Sequence, residues 1–100
     1  MNLKILELRI EELVLAHRKV SRDRVDKNSQ KLARNEYVYP VSVTYCVHRG
    51  IYYLDKGHHR TVAVWQSGKS SILSQVDPCY LWECDGTLGE AFSINHIIIE

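Results

Sequence analysis

The sequence predicts a single small domain of the α/β (α+β) class over residues 1–100, a mixed sheet packed with helices. Three observations carry that expectation. A chain of 100 residues and 11.6 kDa suits one hydrophobic core, because two cores would each fall below the size at which burial outweighs chain entropy. Val41, Val43, Tyr45 and Val47 alternate with Ser42, Thr44 and Cys46, the period of a half-buried strand. From Ile51 to Val76 the pattern then reads strand, glycine turn, helix and strand, the order of a sheet with a helix laid on it.

Taken from the start, Leu3, Ile5 and Glu7 allow a short opening strand, and Ile10, Leu13, Val14 and His17 fall at helical spacing. A second helix begins near Ser21 to Asp23 and keeps Val25, Ser29, Leu32 and Ala33 on one side. Tyr39-Pro40 favours extended backbone ahead of the alternating strand. His48-Arg49-Gly50 supplies a hairpin connection whose glycine suits a left-handed position, and Ile51-Tyr52-Tyr53-Leu54 returns as a strand. His58 to Ser67 is long enough for nearly three helical turns, with Gly68 as its stop. Ile72 to Val76 reads as a strand ended by Asp77-Pro78. Beyond it, Tyr80, Leu81 and Trp82 favour β structure, Asp85-Gly86 suits a turn, and Ile94 to Ile99 fits either a closing strand or a final helix.

With 45% hydrophobic and 25% charged residues, the composition excludes a disordered tail or a collagen-like chain. Apolar runs such as Ile97-Ile98-Ile99 fall far short of the roughly 20 residues of a membrane span. The first dozen residues carry Glu7, Arg9, Glu11 and Glu12 rather than a secretory signal, so the expected location is the cytoplasm. Three cysteines, Cys46, Cys79 and Cys84, cannot all pair within the chain, and free thiols are expected. The net charge of +1 conceals an asymmetry: residues 1–50 hold ten Lys/Arg against six Asp/Glu, and residues 51–100 hold three against six. Seven of those cations, Arg18, Lys19, Arg22, Arg24, Lys27, Lys31 and Arg34, face only Asp23 and Asp26 between His17 and Arg34. Such a segment suits phosphate, although a solvated helix face would look the same.

Gly57-His58-His59-Arg60 is where the sequence points to a site. A strand that delivers these residues onto the first turn of a helix brings together unpaired backbone N–H groups, the positive end of the helix dipole and a guanidinium. The glycine allows close backbone approach, Arg60 can fork onto two oxygens, and the imidazoles can donate hydrogen bonds or move a proton. A zinc site from His58, His59, Cys79 and Cys84 is not expected, because adjacent side chains at a helix start point about 100° apart. His17, His48 and His96 read as structural or surface residues.

Residues 20–76, through the Tyr39-Pro40-Val41-Ser42-Val43 strand, the Gly57-His58-His59-Arg60 box and the strand from Ile72 to Val76, resemble the ParB/sulfiredoxin superfamily. The resemblance implies that the box cradles nucleotide phosphates. Partition proteins of the ParB type carry Gly-Glu-Arg-Arg and bind a cytidine nucleotide. Sulfiredoxins carry Gly-Cys-His-Arg and bind ATP; His59 and Arg60 match their last two residues, and His58 stands where their attacking cysteine would be. Free-serine kinases carry Asp-Gly-His-His-Arg, and Lys56 replaces the aspartate before the glycine here. Those kinases use an acid near the N-terminus as a base, for which Glu7, Glu11 and Glu12 are in range.

The resemblance implies a nucleotide- or phosphate-binding domain that catalyses NTP hydrolysis or phosphoryl transfer. Its site would be Gly57, His58, His59, Arg60 and Thr61, with Lys27, Asn28 and Lys31 from the preceding helix. His58 and His59 would be the catalytic pair, ATP or CTP the nucleotide, and Mg²⁺ the companion ion, with Asp55 the nearest carboxylate. The alternative is a non-catalytic DNA-binding or regulatory module of ParB type, with the basic helix against DNA. A nucleotide is the expected partner, DNA and a second copy in a homodimer are further ones, and a membrane is not.

Overall fold

The computed structural model of the chain describes residues 4–35, 40–79 and 92–100. These form β1 (Lys4–Arg9), β2 (Leu13–Leu15), β3 (Lys19–Val20), α1 (Arg22–Ala33), β4 (Val41–Cys46), β5 (Ile51–Lys56), α2 (His58–Gln66), β6 (Ser71–Cys79) and β7 (Ile98–Ile99). Single 3-10 turns occupy Ile10–Glu12 and Ile94–His96. Neither helix is long and apolar enough to cross a membrane.

Five strands make one mixed sheet in the order β1-β6-β4-β5-β2. β1 and β5 run antiparallel to their neighbours β6 and β4, whereas the β4–β6 and β2–β5 pairs are parallel. Because side chains alternate along each strand, register fixes which residues share a face. Leu8, Ile72, Val41, Val43, Leu54 and Leu15 point to the helix side and pack with Val25 of α1 and Val62, Ala63 and Val64 of α2. The opposite face holds a smaller cluster around Cys46 and Tyr53. β3 and β7 pair in parallel as a separate ribbon.

The two helices and the hairpin form where the sequence predicts them. In the hairpin, Gly50 takes φ 67° and its N–H donates to the Cys46 carbonyl at 2.8 Å. Four expectations need correction. The helical spacing over Ile10 to His17 gives a 3-10 turn and then β2, because Leu13 and Leu15 also satisfy a period of two and are buried beside β5. Asp77-Pro78 does not end its strand: β6 continues to Cys79, and Pro78 lies past Val76, where the described pairing with β1 stops, so its missing N–H breaks no bond there. Ile94 to Ile99 neither closes the main sheet nor forms an α-helix; it supplies a 3-10 turn and β7. Cys46 is disulfide-bonded, against the expectation of free thiols, and Cys79 is free. The β segment at Tyr80 to Trp82, the turn at Asp85-Gly86 and Cys84 lie outside the described residues.

Candidate functional site

The box begins at a backbone position that only glycine fits. β5 ends at Lys56, and Gly57 reverses the chain with φ 106° and ψ 25° to become the residue before α2. A Cβ there would stand 2.5 Å from Val41 Cγ1 on the neighbouring strand. The residue is therefore fixed twice, by its left-handed conformation and by contact with β4. Thr61 locks the turn from the other side: its N–H and its hydroxyl both donate to the Gly57 carbonyl at 2.8 Å. The Thr61 side chain is fully buried in this arrangement.

His58 is 6% exposed, and its Nε2 is buried with no hydrogen-bond partner among the described residues. Its ring lies 4.8 Å from that of His17, tilted by 60°. Burial, and then the neighbouring His17 and His59, push its pKa down to about 4, so the imidazole is neutral at pH 7. His59 is half-buried and also held below the usual histidine range, by burial first and then by Arg24 and His17. Its Nε2 accepts a hydrogen bond from the Ser21 backbone N–H at 3.2 Å. Arg60 is half-buried and lines a cavity of about 570 Å³ together with Leu32, Val64, Lys69 and Ser70. The first turn of α2 has no acidic residue, and Gly57 before it has no side chain with which to cap it.

α1 and α2 lie side by side in the same direction. Ser21, just before α1, bonds to His59, while Ser29, Leu32 and Ala33 share a groove with Ala63, Gln66 and Ser67 further along both helices. Ser21 before α1 thus meets the box at His59, Arg24 acts electrostatically on the same imidazole, and Leu32 shares the Arg60 cavity. Lys27 and Lys31 are exposed one and two turns on, and the Asn28 amide donates to the Arg24 carbonyl at 2.7 Å within its own helix. Asp55 accepts a hydrogen bond from the Thr44 hydroxyl at 2.5 Å. Thr44 alternates with buried Val43, so Asp55, Thr44 and its register partner Asp77 belong to the sheet face turned away from the helices. Burial raises the Asp55 pKa, the Thr44 bond works the other way, and Asp77 raises it further. No trio of His, Cys, Asp or Glu among the described residues is placed to hold a metal ion. Asp55 therefore does not fit a Mg²⁺ ligand for a phosphate at α2.

Two participants escape the sequence. His17 and Ser21 touch His58 and His59 across gaps of 41 and 38 positions, and no local pattern announces such contacts. Glu7 contributes to the wall of the Arg60 cavity, and Glu11 and Glu12 do not.

No protein-family model and no curated protein matches the chain. Solved structures do. Sulfiredoxin from Arabidopsis thaliana aligns at 20% identity with a TM-score of 0.63, over 76% of this chain and 86% of that one. Protein Atu1540 from Agrobacterium tumefaciens aligns at 16% identity with a TM-score of 0.69, over 96% of this chain and 55% of that one. A free serine kinase in complex with AMP aligns at 10% identity with a TM-score of 0.64, over 84% of this chain. The chain spans about half the length of Atu1540 and a third of the kinase. Sharing the backbone course of these structures, with a mixed sheet whose β5 passes through Gly57 into α2, the chain has the ParB/sulfiredoxin-like fold.

Proposed function

We propose that this ParB/sulfiredoxin-like domain binds a nucleotide through its phosphates at the first turn of α2. The observation that carries the reading is the combination at that turn: a left-handed glycine, no acid in the first turn, and a buried His58 Nε2 that lacks a hydrogen-bond partner among the described residues. The N–H groups of His58, His59 and Arg60 stand at the positive end of the helix dipole, which favours an anion. Arg60 and Arg24 add positive charge, and a neutral His58 donates a hydrogen bond at no cost in protonation. The likeness to a serine kinase solved with AMP supports the same reading.

Binding is supported better than catalysis. Phosphoryl transfer or NTP hydrolysis through His58 and His59 asks for a group that titrates near the working pH. His58, at about 4, titrates well below that range, and His59 is held below the ordinary histidine value and already spends its Nε2 on Ser21. Thr61 has its hydroxyl on Gly57, which gives it a role in shaping the turn. Lys27, Asn28 and Lys31 are left as outer contacts for the distal part of the ligand.

The test is thermal unfolding of the chain with AMP, ATP, CTP and inorganic phosphate, each with and without Mg²⁺. A ligand that binds the folded form adds about 2.7 kcal/mol at a hundredfold excess over Kd. A rise in Tm that Arg60→Ala removes supports the proposal, and no rise with any of the four sinks it. The alternative, a DNA-contacting module without catalysis, draws on exposed Arg22, Arg24, Lys27 and Lys31 along α1. It predicts gel-shift binding that weakens steeply with salt and falls in a Lys27→Gln, Lys31→Gln double variant.

A further inference from the structure

At the far end of the sheet the helix-side face is not covered by either helix. Gly57 touches Val41 at the start of β4, and Tyr45 lies four residues further along that strand, about 13 Å away. There a cleft of about 380 Å³ opens between β1 and the β4–β5 hairpin. Its walls are Lys4, Leu6, Tyr45, Val47, Tyr52 and Val76. Register explains why they converge: Lys4 is opposite Val76, and Tyr45 is opposite both Tyr52 and Pro78, so all point to one face.

Three properties of the cleft define what it fits. Tyr45 and Tyr52 form a ring pair with centroids 4.6 Å apart and planes tilted by 40°, a surface on which a further aromatic ring packs edge or face. Leu6 and Val47, 39% and 40% exposed, leave apolar area on either side that water now covers. Among the described residues, Lys4 is the one charged member of the lining, and it has no ion-pair partner. The volume lies within the range of small-molecule sites.

We propose that this cleft is a binding site for a small aromatic carboxylate, with the ring against Tyr45 and Tyr52 and the carboxylate on Lys4. It is independent of the nucleotide site, and a ligand here reaches none of the residues of the Gly57 box.

The experiment uses the full chain, labelled with ¹⁵N, and three probes of the same size: benzoate, benzylamine and cyclohexanecarboxylate. Benzoate is expected to move the amides of Leu6, Tyr45, Val47 and Val76 in a saturable way at millimolar concentration, and to leave His58 to Thr61 still. Benzylamine, with the wrong charge, and cyclohexanecarboxylate, without the ring, bind more weakly. Lys4→Gln, at an exposed position, weakens benzoate by about two- to fivefold. Tyr52→Leu keeps the apolar bulk and abolishes the preference for benzoate over cyclohexanecarboxylate. The proposal is overturned by unsaturated or scattered shifts, by benzylamine binding as well as benzoate, or by shifts centred on α2. The phosphate reading is tested separately, by nucleotide-dependent Tm with Arg60→Ala.

Discussion

His59 Nε2 and the Ser21 N–H are joined at 3.2 Å, so the start of α2 is tied to the residue that precedes α1. Ser21 has φ −77°, which proline adopts without strain, and Val20 before it lies in a strand, as a residue before proline prefers. Ser21→Pro therefore deletes the donor and little else, at about 1 kcal/mol. With the bond to its neutral form gone, His59 moves up toward the ordinary histidine pKa. Arg24→Gln moves it in the same direction, and neither restores it fully, because burial is the first cause of the depression. An NMR titration of the His59 ring reads both shifts; a titration midpoint unmoved by either variant refutes the coupling.

Gly57 and Val41 make the second constraint. Gly57→Ala places a methyl 2.5 Å from Val41 Cγ1 and forces an L-residue to φ 106°. Strain and overpacking together predict a loss of about 2–4 kcal/mol. Adding Val41→Ala removes the collision and leaves the strain. The double variant is expected to be more stable than the sum of the two single losses by about 1 kcal/mol or more in urea unfolding. Strict additivity would show that contact with β4 plays no part in selecting glycine.

These two pairs show which part of the site the sequence makes legible. Gly57, the helix after it and the hairpin before it are written in neighbouring residues, through a glycine between a β-prone run and a helical one. Ser21 and His17 are not, because their contacts depend on how α1 and the β2–β3 segment lie against α2. The same limit explains β2: Leu13, Val14 and Leu15 suit a helix face locally, and only β5 beside them decides for a strand. Asp55 is the opposite lesson. It is two residues from Gly57 in sequence, yet alternation turns it to the other face of the sheet, toward Thr44 and Asp77.

That placement makes Asp55 a source of instability at neutral pH. Its folded pKa lies above the ordinary 3.8, so the fold favours the protonated form, and the favourable contribution present at low pH is lost as pH rises through the folded pKa. Asp55→Asn keeps an acceptor for Thr44 and removes the charge that burial and Asp77 oppose. The variant is predicted to have a higher urea midpoint than the parent at pH 7 and to lose that advantage below pH ~4. Asp77→Asn lowers the Asp55 pKa and Thr44→Val raises it. Equal midpoints across the whole pH range would contradict the assignment.

His58 gives the opposite slope in acid. Its folded pKa of about 4 is below the ordinary 6.5, so between those values the unfolded chain binds a proton that the folded one refuses. Stability from this residue is complete above pH 6.5 and falls as pH drops toward 4, by about 3 kcal/mol at most. His58→Gln keeps a hydrogen-bonding side chain that does not titrate, and its urea midpoint should be flatter than the parent's over that interval. The same residue makes ligand binding diagnostic. A phosphate that takes its hydrogen bond from Nε2 also stabilises the imidazolium, so bound nucleotide should raise the His58 pKa and reduce the acid sensitivity of the fold. If saturating AMP protects against thermal unfolding while the His58 titration stays where it was, the ligand is held by Arg60 and the helix end alone, and the buried imidazole serves only the packing against His17.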